Sequence, residues 1–250
     1  MNKPHLSYRT SNPALNSNTF KNPVKNSSLF LDKTMTIQGA VDKTAISLVL
    51  LIIAAYYTFS AGMESMIMIG SIGGLILAIL TIFKKEWAPF TVPFYAIFEG
   101  LALGSLSYIY NTQYDGIVLQ AISITVLVLF SLLFAYRSKI IKPTENFKLG
   151  IFAATGGIFL LYLISFVMSF FGSGISLLNP NNSSMLSIGL SFGIVIIAAL
   201  NLVIDFDFIE EGSEKGAPKY MEWYAAFGLL VTLIWLYLEL LRLLAKMKNR

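Results

Sequence analysis

Residues 149–204 read LGIFAATGGIFLLYLISFVMSFFGSGISLLNPNNSSMLSIGLSFGIVIIAALNLVI, 56 positions without an Asp, Glu, Lys or Arg. A helix needs about 20 apolar residues to cross the hydrocarbon core of a bilayer. The stretch is too long for one crossing and suits two crossings joined by a loop. The joint is legible in Phe171-Gly172-Ser173-Gly174 and in Asn179-Pro180-Asn181-Asn182-Ser183-Ser184, which are turn chemistry. Ser184 or Ser187 is placed to cap the second of the two helices.

Working outward, further charge-free windows mark further crossings. Residues 44–63, 65–83 and 116–136 carry no charge, and the window 87–110 carries only Glu99. The last apolar run covers 221–245. Seven spans result, at about 45–62, 65–83, 89–110, 116–136, 149–171, 185–208 and 221–245. Composition agrees. The 250 residues are 56 % hydrophobic and 13 % charged, against about 25 % charged in a soluble domain. A water-soluble fold of this size could not hide so much apolar surface. The class is therefore all-α, a polytopic membrane protein with a seven-helix transmembrane domain over 44–250. Short loops predict antiparallel neighbours in one compact bundle. Gly100/Gly104, Gly189/Gly193 and Ala153-Ala154-Thr155-Gly156-Gly157 predict close helix approaches.

Residues 1–43 are rich in Asn, Ser, Lys and Thr and hold no apolar run. No hydrophobic region follows the first lysines, so the segment does not read as a signal peptide. It reads as a polar, mobile cytoplasmic tail, with Met35–Lys43 as a lead-in to the first helix.

Lys and Arg in loops set orientation. The tail has six, the second loop two, the fourth four and the sixth two, while the first, third and fifth have none. This alternation places the N-terminus in the cytoplasm. The C-terminal end conflicts with it, because Arg242, Lys246, Lys248 and Arg250 fall on the outer side of a seventh span. Either this end breaks the rule, or the last segment re-enters without crossing.

The acids at membrane depth are the functional leads, because a carboxylate there costs about 2.5 kcal/mol or more. Glu99 lies near the middle of the third span, with no basic residue at its depth, and is a candidate for ion or proton movement. Asp205 and Asp207 stand at the cytoplasmic end of the sixth span. Two positions apart on a helix, they point roughly 200° from each other, so one faces the bundle and one the interface. Asp207, Glu210 and Glu211 can share a face, with Glu214 a turn further on. Such carboxylates at an inner mouth would attract cations and couple their protonation. Glu222 opens the seventh span on the same side, facing the sixth helix's acidic end or serving as a plain helix cap. Glu239 and Arg242 read as an i,i+3 pair at the outer interface.

Several chemistries are excluded. There is no Cys, and the single His, His5, lies in the tail, so thiol chemistry, His-based metal sites and Ser-His triads are out. No span holds a Lys for a retinal Schiff base, with Lys246 placed beyond the seventh. The two Asp residues share one helix end, unlike an intramembrane aspartyl protease. No phosphate-cradling loop is present, and Asp205-Phe206-Asp207 lacks the remaining positions of an EF-hand. The chain is not expected to be an enzyme, to hold a cofactor or to bind nucleic acid.

Asn12-Pro13, Phe98-Glu99-Gly100-Leu-Ala-Leu-Gly104, Asp205-Phe-Asp207-Phe-Ile-Glu and Gly216-Ala-Pro-Lys-Tyr-Met-Glu-Trp-Tyr224 resemble the bacterial branch of the Bax inhibitor family, the transmembrane Bax inhibitor motif proteins. The resemblance covers about 40–245 and implies a seven-helix bundle with the last helix at its centre. It implies a multi-pass protein of the cell membrane, here the bacterial inner membrane. It also implies a pH-sensitive calcium leak gated by two aspartates, one on the sixth helix and one on the seventh. The sixth-helix acid matches Asp205 or Asp207, and the third-helix acid matches Glu99. On the seventh helix the aspartate has no match: Thr232 stands there, and Glu222 is the nearest substitute in depth.

The expected function is a pH-sensitive calcium leak or cation channel, with Asp205, Asp207 and Glu222 binding or gating at the inner mouth and Glu99 lining the path. Calcium would be the transported species, held by Asp205 and Asp207. The alternatives are a non-conducting regulatory protein that binds a membrane protease or another membrane partner, and a proton-coupled transporter, for which no internal repeat is visible.

Overall fold

The computed structural model describes residues 34–172 and 174–250. The basic tail up to Lys33, with His5 and Asn12-Pro13, lies outside the described residues, as does Ser173. Seven α-helices follow one another: α1 (Ile37–Ala61), α2 (Met66–Phe83), α3 (Ala88–Gln113), α4 (Ile117–Arg137), α5 (Glu145–Ser169), α6 (Met185–Glu214) and α7 (Met221–Lys248). All seven are long and apolar enough to cross a membrane. Among the described residues the only extended pairing is an isolated antiparallel bridge between Thr34 and Pro218. The protein is all-α and polytopic.

Helices overrun the charge-free windows wherever a cap or a polar partner lies further out. α1 begins at Ile37, on the lead-in, because the Thr36 side chain accepts the Gly39 N–H. α5 begins at Glu145 behind Thr144, whose hydroxyl accepts the Phe147 N–H at 3.3 Å. Of the two candidate caps for α6, Ser184 takes the role, accepting the Ser187 N–H at 3.3 Å. Ser187 instead donates its hydroxyl to the Leu177 carbonyl at 2.8 Å. The turn before α6 is built by Asn side chains: Asn179 Oδ1 accepts from Asn181 N–H at 2.9 Å and Asn182 Oδ1 from Ser184 N–H at 3.0 Å. These are Asx turns, the reason Asn recurs there.

By packing, the chain divides into two compact units, and α6 and α7 contribute to both. The first unit holds α1, α2 and α3, α6 from Asp205 onward and α7 as far as Val231. In it α3 packs against both α1 and α2. Small residues make this possible. A Cβ on Gly100 would strike the Leu51 carbonyl oxygen of α1, and one on Gly104 would strike the Ala55 carbonyl oxygen and Thr58 Oγ1. On α2, a Cβ on Gly70 would lie 2.5 Å from the Phe98 carbonyl oxygen. Hydroxyls fasten the same seams: Thr58 donates to the Leu101 carbonyl at 3.1 Å and Thr81 to Thr91 Oγ1 at 2.7 Å.

The second unit holds α4, α5, α6 up to Ile204 and α7 from Thr232. Here the small-residue expectation is corrected. Gly156, Gly157, Gly189 and Gly193 have nothing within 4 Å of where a Cβ would stand. Only 6 % of α5's apolar window is buried, so Gly156 and Gly157 have no neighbour to admit, and on the half-buried α6 the face with Gly189 and Gly193 is an open one. α5 and α6 are instead joined by the Asn201 amide, which donates to Thr155 Oγ1 at 2.9 Å. α7 is the most buried of the seven helices, with 67 % of its window covered, as the resemblance implies for a central helix.

At the C-terminal end, α7 is long and apolar enough for a full crossing. α7 is continuous to Lys248. Its end is tied to the α3–α4 and α5–α6 connections: Tyr114 OH donates to Asn249 Oδ1 at 2.8 Å, Lys248 Nζ to the Asp115 carbonyl at 2.7 Å and Lys246 Nζ to the Leu177 carbonyl at 2.7 Å. The chain before α1 is tied to the α6–α7 connection, where Met35 N–H donates to the Ala217 carbonyl at 2.6 Å. Local carbonyl oxygens thus hold Lys246 and Lys248.

Candidate functional site

Asp205 sits in a part of α6 whose neighbours Leu202, Val203, Ile204, Phe206, Phe208 and Ile209 are all buried. It is 1 % exposed, and both its carboxylate oxygens are sealed from solvent. Asp207, on the other side of the helix, is half-buried, and Glu210 is exposed. Glu211 forms an i,i+4 ion pair with Lys215. The acidic stripe is thus divided among different surroundings. Among the described residues no group of three or more His, Cys, Asp or Glu side chains could hold a metal ion.

Glu99 stands near the middle of α3 and is half-buried. Its carboxylate occupies the space left by Gly74 of α2, where a Cβ would collide with Oε1. Glu99 makes no hydrogen bond or ion pair among the described residues. Pro93 lies inside the same helix without ending it.

Glu222 is fully buried at the first turn of α7. Its Oε1 accepts the Thr36 N–H at 3.0 Å, the Thr36 hydroxyl at 2.9 Å and Lys219 Nζ at 2.6 Å. Oε2 is sealed and has no hydrogen-bond partner among the described residues. Thr36 uses the same hydroxyl to accept the Gly39 N–H at 3.0 Å, so the carboxylate of α7 completes the cap of α1. Glu222 is therefore directed at the start of α1 as well as opening α7. Around it Lys43 lies 5.3 Å from the Trp223 ring centroid and Lys85 5.6 Å from that of Tyr224. Just before α7, burial and then the Glu86 carboxylate push the Tyr220 hydroxyl's pKa up. All four acids singled out from the sequence, Glu99, Asp205, Asp207 and Glu222, fall in the first unit.

The second unit has its own polar network. Arg242 Nη1 lies 2.9 Å from both carboxylate oxygens of Glu239. Tyr162 OH donates to Glu239 Oε1 at 2.8 Å, and Trp235 Nε1 does so at 3.2 Å. Arg242 also bonds the Tyr162 hydroxyl and stacks 5.0 Å from its ring centroid. The expected i,i+3 pair is present, but Glu239 is 2 % exposed and belongs to the interior. Lys246 needs a larger correction. It lies inside α7, not beyond it, and is fully buried, with Nζ donating to the Leu177 carbonyl, to Ser191 Oγ at 2.8 Å and to the Ser187 carbonyl at 3.4 Å.

A profile of the Bax inhibitor 1 like family matches residues 12–249. The chain belongs to the Bax inhibitor family. Searches among curated proteins and among solved structures returned no match. In this Bax inhibitor family protein, the seventh-helix position that the resemblance assigns to an aspartate holds Thr232, which is buried. The sixth-helix acid with the buried environment is Asp205, not Asp207. Sequence reasoning missed three features of this Bax inhibitor family chain: Lys246 as an interior cation, Gly74 as the room for Glu99, and Thr36 as the partner of Glu222. The first was hidden because Lys246 sits one residue past the apolar run. The last had a local signal, a Thr three residues before Gly39, which is the spacing of an N-cap bond.

Proposed function

We propose that this Bax inhibitor family protein is a pH-sensitive leak for calcium or another cation in the cell membrane, with its N-terminus cytoplasmic, and that it has no enzymatic activity. The observation that carries this reading is Asp205: a carboxylate on a membrane-spanning helix, 1 % exposed. Burying an acid there opposes stability by a few kcal/mol, and a function that needs the acid explains its retention. Glu99 and Asp207 lie in the same unit.

The mechanism follows from charge and oxygen count. A calcium ion prefers six to eight oxygens. Asp205 supplies at most two carboxylate oxygens to such an ion, Asp207 on the other side of the helix adds its charge, and water and backbone carbonyls would supply the rest. A cation held so loosely enters and leaves, as conduction requires. When the acids take up protons the attraction is lost and flux falls, which makes the leak depend on pH. Glu222 is left out of the ion path, since its Oε1 is committed to Thr36 and Lys219.

Calcium uptake into proteoliposomes containing only the purified protein tests the proposal over roughly pH 5 to 8. The pair Asp205→Asn plus Asp207→Asn should lower the flux and flatten its pH dependence. If the wild-type protein passes no cation anywhere in that range, the leak reading is lost. Protein-binding assays then become the direct test of a regulatory role.

A further inference from the structure

The contact between Glu222 and the start of α1 does more than cap a helix. Two attachments, a backbone bridge with its own hydrogen bond and a side-chain contact, join the chain before α1 to the α6–α7 connection. Thr34 pairs with Pro218 in an antiparallel bridge. Met35 N–H donates to the Ala217 carbonyl at 2.6 Å, and the Met35 side chain is buried. Thr36 gives both its N–H and its hydroxyl to Glu222 Oε1. Gly39 completes the fit, because any Cβ there would occupy the position of the Glu222 carboxylate. The first turn of α1 is shaped around a side chain 186 positions away in sequence.

Both Thr36 bonds of this latch converge on one oxygen of Glu222, so movement of that carboxylate breaks them together. Glu222 Oε2 is buried without a hydrogen-bond partner among the described residues, so part of the acid's desolvation cost is uncompensated in the engaged state. The α6–α7 connection is the continuation of the helix that carries Asp205 and Asp207. In the structure the engaged latch coexists with an Asp205 whose carboxylate is sealed.

We infer that the Thr36–Glu222 latch regulates the leak: engaged, it holds the α6–α7 connection in the closed state, and its release opens the path at Asp205. The inference rests on the leak reading above. It concerns a different residue set, and the two can fail separately.

The chain has no cysteine, so a designed pair is unambiguous. Residues paired across an antiparallel bridge lie about 4.5–5.5 Å apart at Cα, within disulfide range. In Thr34→Cys plus Pro218→Cys, oxidation should lower calcium flux into proteoliposomes and reductant should restore it. Glu222→Gln removes the ion pair to Lys219 and weakens the Thr36 bonds. It should raise flux by roughly tenfold, the effect of losing a charge-assisted hydrogen bond from one of two states. Combining Glu222→Gln with the oxidised cysteine pair should return flux to the low level, which a merely misfolded variant would not do. The latch is overturned if the disulfide forms in most of the protein, Asp205→Asn still alters flux, and neither the disulfide nor Glu222→Gln changes it. Absence of flux from the wild type at every pH overturns latch and leak together.

Discussion

Gly104→Ala and Gly189→Ala are the same chemical change in the same kind of helix, and the structure assigns them opposite consequences. At position 104 the added methyl would stand 2.7 Å from the Ala55 carbonyl carbon and would strike the Ala55 oxygen and Thr58 Oγ1. Carbon atoms in contact prefer about 3.5–4.0 Å, so α1 has to withdraw by about 1 Å along the seam. Overpacking of this kind costs about 1–3 kcal/mol. The Thr58 hydroxyl bond to Leu101, 3.1 Å long, lies on the same seam, and its loss adds about 0.5–1.5 kcal/mol. At position 189 nothing lies within 4 Å, and replacing Gly in a helix gains up to about 1 kcal/mol. Thermal unfolding in detergent, followed by tryptophan fluorescence, reads both. Gly104→Ala should lower Tm by about 5–10 °C, and Gly189→Ala should leave it unchanged or raise it by a few degrees, by the usual conversion for a chain near this size. If the two variants melt together, the α1–α3 packing described above is wrong.

Three further outcomes follow from the same geometry. Glu239→Gln alone leaves Arg242 beside a neutral partner and should cost about 3–5 kcal/mol, while Glu239→Gln with Arg242→Gln should cost less; a double-mutant cycle in chemical denaturation measures the difference. Lys246→Met strips the Leu177 carbonyl and Ser191 hydroxyl of their donor and should destabilise by about 1–3 kcal/mol, with faster hydrogen exchange at the start of α6 and the turn before it. Gly74→Ala displaces the Glu99 carboxylate without altering any charge, and should change calcium flux in proteoliposomes; an unchanged flux with normal folding would remove Glu99 from the path.

The division of the polar residues between two units bears on how such a protein can be both stable and responsive. Glu239, Arg242 and Tyr162 bond one another within one unit, and Lys246 there is held by Leu177 and Ser191. Glu99 has no hydrogen-bond or ion-pair partner among the described residues, and Glu222 uses only one of its oxygens. Satisfied buried networks resist change. The proposed latch draws on Glu222, whose second carboxylate oxygen has no hydrogen-bond partner among the described residues.

The seven crossings, their order and the membrane class were legible in the sequence, because lipid forces every backbone polar group into a helix and excludes charge from roughly 20-residue windows. The windows could not show where helices end, since Thr36, Thr144 and Ser184 set those limits through individual hydrogen bonds. The acids were legible as well, because in so apolar a chain a charge is rare and Glu99, Asp205, Asp207 and Glu222 stand out. Their surroundings were not. Gly104 and Gly189 look alike in sequence, yet one meets a neighbouring backbone and the other meets open space. Glu222 finds a partner 186 positions away, and Lys246, one step past an apolar run, turns inward. Local pattern fixes helices because their hydrogen bonds are local. Which face of a helix is covered, and which donor meets a buried acid, depends on chain segments distant in sequence, and only the tertiary structure decides that.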